Sequence, residues 1–345
     1  MEWIIDLLRA YPPMDQWSNA LLITTAAAIA ASMTMGVVSL VALVAVYAER
    51  KVSARIQSRV GPMHVGWHGV LQTVADGIKL LLKEDIVPAK ADRFLFVLAP
   101  ALVFTGAFLS WAVLPLGPGW VPIDMNIGVV YLLATSSLVA IGIIMAGWAS
   151  HNKWSLLGAM RTAAQFLSYE VPTALHLLPP VLLIGSLNLM TIADAQAGGW
   201  LGIGNWALWN PFCFIAFFAY YISSLAETNR LPFDLPESES ELVAGFHAEY
   251  TGIRFSFFFL AEYAEMFIVS AVSSLLFLGA WHAFGVSSFV IYLFKVAFLM
   301  YIAMWLRWTL PRFRIDQLMS FCWKFLIPLG LINLVAISAW VYAFS

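Results

Sequence analysis

Charge is scarce in this chain. Asp, Glu, Lys and Arg make up only 11% of its 345 residues, where a soluble domain carries about 25%. With 61% hydrophobic residues and a mean hydropathy of +0.83, a water-soluble fold is excluded. Cysteine is nearly absent. Cys213 and Cys322 lie far apart in apolar runs and form no CxxC, which excludes a disulfide framework and a cysteine metal site. No phosphate loop occurs, and the glycines of AQAGGWLGIGNW follow no strand and open no helix with a downstream acid, so there is no dinucleotide fingerprint. The six histidines lack the paired placement that a buried haem needs. Tandem repeats, inverted half-symmetry and low-complexity tracts are missing too. The opening MEWIIDLLRA carries Glu2 and Asp6 where a cleavable signal would be basic, so it reads as mature sequence. A net charge of -2 says little about partners.

What is present is apolar length. A membrane span needs roughly 20 apolar residues, and eight runs qualify: 20–48, 94–116, 127–149, 171–189, 209–226, 255–278, 286–306 and 318–342. A barrel would instead show short alternating segments. The reading is therefore an all-α polytopic membrane protein, with residues 1–345 forming one integral membrane domain of eight transmembrane helices.

Basic residues orient the spans. The connections after spans one, three, five and seven hold Arg50, Lys51, Arg55, Arg59, Lys79, Lys83, Lys90, Arg93, Lys153, Arg161, Arg230, Arg254, Arg307, Arg312 and Arg314, whereas those after spans two, four and six hold no Lys or Arg. By the positive-inside rule the odd connections face the cytoplasm and both termini face outward, with Arg9 the one exception among Glu2, Asp6 and Asp15.

In the first inner connection, Trp67, Val70, Leu71, Val74, Ile78, Leu81 and Leu82 fall on one helical face, and His68, Gln72, Asp76, Lys79 and Lys83 on the other. This predicts an amphipathic helix over about 67–83 lying in the interface plane. Before it, ERKVSARIQSRVGP sets four cations beside the membrane, suited either to anionic lipid or to a soluble partner. The second inner connection, His151–Glu170, ends with Pro172 bending the chain into span four. Two lysines fall within late spans. Lys324, less than two turns in, reads as snorkelling; Lys295, deeper in span seven, suggests pairing with a carboxylate.

Acids concentrate in one stretch. From Ala226 to Met266 the chain places Glu227, Asp234, Glu237, Glu239, Glu241, Glu249, Glu262 and Glu265, eight of its twenty acids, with Arg230 and Arg254 opposing them in sequence. The loop 227–254 joins two hydrophobic runs, and Glu262 and Glu265 sit inside the second. Charge at this depth is expensive. Carboxylates crowded where water is scarce cannot all ionise, which is what a proton relay requires. The bland alternative is a solvated loop with a helix start capped by Ser238 and Glu241.

Three stretches carry a family resemblance: ERKVSARIQSRVGP with GVLQTVADGIKLLLKE, then QFLSYE at 165–170, and above all AETNRLPFDLPESESELVAGFHAEYTG followed by FFFLAEYAEM. Over essentially the whole chain they resemble the H subunit of respiratory complex I, the proton-pumping NADH–quinone oxidoreductase. Met63-His64 follows Gly61-Pro62 where an Asn is usual, and Ser136-Ser137 stand in span three where some members carry an acid. The resemblance implies a multi-pass subunit of the bacterial inner membrane that supplies the membrane side of a quinone chamber opening to the bilayer past spans one and six and the interfacial helix. Arg50, Asp76, Lys79, Asp234, Glu237, Glu239 and Glu241 would belong to that chamber, and Glu170, Glu227, Arg230, Glu249 and Glu262 to the path toward antiporter-like subunits. Lys51, Arg55 and Arg59 would dock the peripheral arm. The chain would bind no cofactor or metal of its own; quinone is the substrate, and iron–sulfur clusters and FMN would sit in partner subunits. Partners would be the peripheral quinone-site subunits and the small membrane subunits, with no nucleic acid.

The nearest alternative is the equivalent subunit of a membrane-bound hydrogenase, a cofactor-F420-type dehydrogenase or a ferredoxin-driven photosynthetic complex, whose electron donor lies outside this chain. A free-standing ion transporter is the alternative from another class, and the missing repeats argue against it.

Overall fold

The computed structural model describes residues 4–5, 19–199, 202–284 and 286–344. Glu2, Asp6, Arg9 and Asp15 lie outside them, as do the side chains of Glu239, Ser240 and Val286. Among the described residues seven helices are long and apolar enough to cross a membrane: α1 (Asn19–Ile56), α3 (Arg93–Val113), α4 (Gly128–Ala149), α5 (Lys153–Ile184), α9 (Gly252–Phe277), α10 (Phe289–Thr309) and α11 (Ile315–Phe344). A shorter apolar helix, α7 (Pro211–Glu227), makes the eighth. The remaining helices are α2 (Gln72–Leu82), α6 (Leu189–Ala195) and the single turn α8 (Glu239–Leu242), and the strand content is a hairpin of β1 (His282–Ala283) and β2 (Val286–Ser287). The chain is an all-α, multi-pass membrane protein.

Local chemistry sets the helix ends. Asp92 accepts from the Phe94 and Leu95 amides at the start of α3, Asn152 from Trp154 at α5, and Ser288 from Val290 at α10. At α7 Asn210 caps a helix whose first residue is Pro211. Each satisfies amides that a helix start leaves open. Helix packing relies on small residues. A Cβ on Gly142 of α4 would lie 2.9 Å from the Val103 amide nitrogen of α3, so only glycine allows that approach.

The helix ends gather into two opposite layers. At one, the Asp92 amide donates to Ala149, the Ile86 amide to the Thr251 hydroxyl, and the Phe313 amide to Pro232, so all the basic connections meet there. At the other, Gln196 donates to Leu275 and accepts from Gly279, while Asn188 donates to Asp124.

Four expectations change. α1 runs eight residues past Ala48, and α5 begins at Lys153, so all of His151–Glu170 after Asn152 is helix and not connection. At 1.5 Å per residue these helices are about 57 and 48 Å long, beyond the roughly 30 Å of hydrocarbon. Pro172 lies within α5, where it offers no amide to the Ser168 carbonyl, and the Thr173 hydroxyl next to it donates to Tyr169. The interfacial helix is shorter than 67–83, because Gly66, His68 and Gly69 all take positive φ and turn the chain before Gln72. On it Val74, Ile78, Leu81 and Leu82 are exposed and only Thr73 is buried, so its apolar face turns away from the bundle, toward where lipid would lie. Among the described residues Lys295 pairs with no carboxylate. Its ammonium donates to the carbonyls of Leu278, Ala280 and His282 at 2.6, 2.8 and 2.9 Å and lies 4.2 Å from the Trp206 ring centroid. α10 starts at Phe289, so Lys295 is near the helix end and satisfies carbonyls at and beyond the C-terminus of α9. Lys324 is exposed in a π-helical turn of α11.

Candidate functional site: a buried charge cluster and a carboxylate cavity

Glu49, on the last turns of α1, stands at the centre of the site. It is 5% exposed and accepts from Arg230 at 2.7 Å, from the Tyr263 hydroxyl at 2.8 Å and from Arg307. Arg230 reaches on to Glu262 at 3.0 Å, and its guanidinium lies 4.7 Å from the Tyr263 ring centroid. Two carboxylates therefore face two guanidiniums, with Arg230 and Glu49 buried and Glu262 and Arg307 partly so, the arrangement under which buried charge persists. Burial works against the charge on Arg230, and Glu262 and Glu49 more than offset it, so it stays protonated.

Arg230 is held there by the chain around it. Its amide donates to Leu225 and the Phe233 amide donates to Arg230, so the loop closes on the end of α7. Fully buried Gln165 of α5 donates to Ala226 at 2.7 Å and to Asn229 at 3.1 Å. Where this loop passes over α5 there is no room for a side chain: a Cβ on Gly158 would lie 2.8 Å from the Phe246 amide nitrogen and 3.0 Å from the Pro236 carbonyl oxygen.

Above the cluster, Glu237 faces His247 at 3.7 Å. Burial first, then the Glu262 and Asp234 carboxylates, pushes Glu237 well above the usual carboxylate range. Burial also pushes His247 down to about 4. Both shifts favour the uncharged form of each group, so the contact is not held as an ion pair. Asp234 lies 3.7 Å from Arg312, which also donates to Ser238 at 2.6 Å. Ser238 makes no cap, and Glu241 is half exposed and pairs with Arg161 of α5 at 2.6 Å, so the capping box of the bland reading does not form. Glu249 accepts from Asn152 at 2.6 Å.

The chamber and relay residues thus divide. Asp234, Glu237, Arg230 and Glu262 converge with Glu49. Arg50, the next residue along α1, pairs with Asp76 of α2, which also accepts from Gln72 at 3.1 Å; Lys79 of α2 is exposed. Glu227, the last residue of α7, and Glu170 of α5 lie within electrostatic reach of each other. Glu227 lines two small cavities together with Ser136 and Glu265. Of the docking residues, Arg55 and Arg59 are exposed, whereas Lys51 turns inward to the Pro62 carbonyl at 2.6 Å. Glu239 lies outside the described side chains.

Sequence reasoning missed Glu49, Arg307, Tyr263 and the placement of Glu265. It also counted only Arg230 and Arg254 against the acids, whereas Arg161, Arg307 and Arg312 arrive from other elements, and Arg254 pairs with Asp85 at 2.9 Å. Glu49 had a visible signal, being an acid in the last apolar turn before a basic run. Among the described residues no group of three His, Cys, Asp or Glu converges as a metal site would.

Known proteins match this chain over nearly all of it. The family model described as NADH dehydrogenase matches residues 29–338. The NADH-quinone oxidoreductase H subunit of Chlorobaculum tepidum is 46% identical, over 97% of this chain and 99% of its own length. The H subunit of Paramagnetospirillum magneticum is 43% identical over 99% and 98% of the two chains, and that of Geobacillus thermodenitrificans 45% over 92% and 94%. A helical bundle with one acid-rich connection, matched nearly end to end by these proteins, belongs to the H-subunit family of NADH-quinone oxidoreductase, a membrane component of that oxidoreductase complex.

Proposed function

We propose that this chain forms the membrane side of a quinone-binding chamber, docks the peripheral arm, and passes quinone-linked protonation changes through buried carboxylates toward the antiporter-like subunits. One observation carries the reading. Asp76 of the interfacial helix holds Arg50, and the preceding residue, Glu49, holds Arg230 and Arg307, so two consecutive residues of α1 join a lipid-facing helix to the buried cluster.

The chemistry agrees. A quinone approaching along the bilayer would meet the exposed apolar faces of α1 and α2 first. Its reduction takes two electrons and two protons, and the electrons would come from an iron–sulfur cluster of a partner subunit. Charge appearing in a dry site favours neighbouring groups that already hold protons. Glu237, whose hold on a proton is strengthened by burial and by the Glu262 and Asp234 carboxylates beside it, suits that role. Arg50, Asp76, Lys79, Asp234, Glu239 and Glu241 would complete the chamber wall, and Glu170, Glu227, Arg230, Glu249 and Glu262 the relay. Arg55 and Arg59, both exposed at the basic end of α1, suit contact with a soluble subunit, and Lys51 would act by shaping the turn at Pro62.

The test uses membranes carrying Asp76→Asn or Glu237→Gln. NADH oxidation with a short-chain quinone is measured beside NADH oxidation with an artificial acceptor that takes electrons upstream of quinone. A loss of tenfold or more in the first, with the second retained, is expected; full quinone activity in both variants would overturn the chamber assignment. Reversing Arg55 and Arg59 to Glu is expected to release the peripheral arm from the membrane.

A further inference from the structure

Two cavities lie among α4, α5, α7 and α9, and Ser136, Glu227 and Glu265 line both. The larger, about 40 Å³, also takes in Ser110, Thr173 and Tyr220. A water needs roughly 10–15 Å³ of such space and two to four polar partners, so this one has room for about two or three. The smaller, about 10 Å³, reaches Tyr169 and Asn229.

Glu265 is only 8% exposed, yet among the described residues it makes no hydrogen bond and meets no cation. Burying a polar group without a partner is costly, and water in the cavity is the partner within reach. Its position is intermediate. On α9 it follows Glu262 by three residues, close to one turn, and it lies within electrostatic reach of both Glu262 and Glu227. Glu262 belongs to the arginine-balanced cluster, and Glu227 faces the cavity. Across the same space α4 contributes the hydroxyl of Ser136 and no carboxylate.

We propose that Glu265 is a proton-carrying carboxylate that connects Glu262 to Glu227 through cavity water, filling from α9 the space that α4 leaves to Ser136. A proton leaves the Glu265 carboxyl for a water as that water yields one to Glu227, and Glu265 is refilled from the Glu262 side; no bond to carbon changes and no electron moves. The proposal rests on the relay reading given above, and it adds a member that cannot be assigned from the sequence.

The experiment compares Glu265→Gln, Glu227→Gln, Glu265→Asp and the double variant Ser136→Glu with Glu265→Gln in membrane vesicles of the assembled complex. Proton uptake per NADH oxidised is read with a short-chain quinone, and assembly is followed through the upstream-acceptor activity. Expected are a fivefold or greater loss of proton uptake per NADH in Glu265→Gln at unchanged upstream activity, and recovery to at least half in the double variant and in Glu265→Asp. Normal proton uptake in Glu265→Gln beside a loss in Glu227→Gln would overturn the proposal and leave the relay reading standing. Normal uptake in both would overturn the relay reading itself. A loss that neither Glu265→Asp nor the double variant restores, or that merely follows lost assembly, would assign Glu265 to structure and overturn the proposal.

Discussion

The two buried carboxylate groups of this chain lie within a few turns of each other and are built on opposite terms. Around Glu49 and Glu262 every negative charge meets a guanidinium, with Arg230 between the two acids and Arg307 behind. Around Glu227 and Glu265 hydroxyls and small cavities take the place of cations. The first arrangement holds charge in place. The second leaves room for protons to come and go, because neutral and ionised forms there are separated by water and hydroxyl contacts and not by a locked ion pair.

The strongest way to break this contrast is Arg230→Met. It would leave Glu49 and Glu262 buried without their shared partner, and breaking such a pair costs about 3–5 kcal/mol. We expect the variant complex to lose this chain on native gels, while Arg230→Lys, which keeps charge but not the fork that spans two acids, assembles in part.

Glu227→Gln should behave in the opposite way. No ion pair is lost, so the thermal midpoint of the complex should shift little while quinone-linked proton uptake falls fivefold or more. A stability loss as large as that of Arg230→Met would erase the distinction between the two groups.

The pH dependence of stability sharpens the loop above them. His247, pushed down to about 4 in the folded chain against 6.5 unfolded, contributes stability present above pH 6.5 and lost as pH falls toward 4, since the unfolded state binds the extra proton. Glu237, shifted upward, works in the opposite sense and loses its contribution as pH rises. The stability lost on acidification from pH 6.5 to 4, read from thermal inactivation, should therefore be smaller in His247→Gln than in the parent.

The smallest effect belongs to Arg161→Gln. Its pair with Glu241 is partly exposed, and such pairs are worth about 0–1 kcal/mol. Stability should change by no more than that, which would separate the rim of the acidic loop from its buried floor.

Much of the architecture is legible in the residues. Apolar length identifies the spans, alternating basic connections foretell that four of them share one layer, and the face of Val74, Ile78 and Leu81 identifies a helix that stays outside the bundle. Errors cluster where local pattern ends. Gln165 and Glu170 are too polar to read as span, yet they continue α5 because Gln165 is held by Ala226 and Asn229 from a segment sixty residues away. Lys295 reads as a buried charge seeking a carboxylate, and carbonyls of the α9 C-terminus and the turn beyond it satisfy it instead.

By itself the sequence determined that this is a multi-pass helical membrane protein with one acid-rich connection, since hydropathy and charge count follow from composition along the chain. Only the tertiary structure decided which acids are balanced and which are not. Glu49 and Arg230 are 181 residues apart, Glu49 and Arg307 258, and no local spacing can tell that they meet. Charge on a carboxylate is settled by the groups within a few ångströms of it in space, and the packing of α1, α9 and α10 brings the arginines to Glu49 and Glu262 and leaves Glu227 and Glu265 beside hydroxyls and water-sized space.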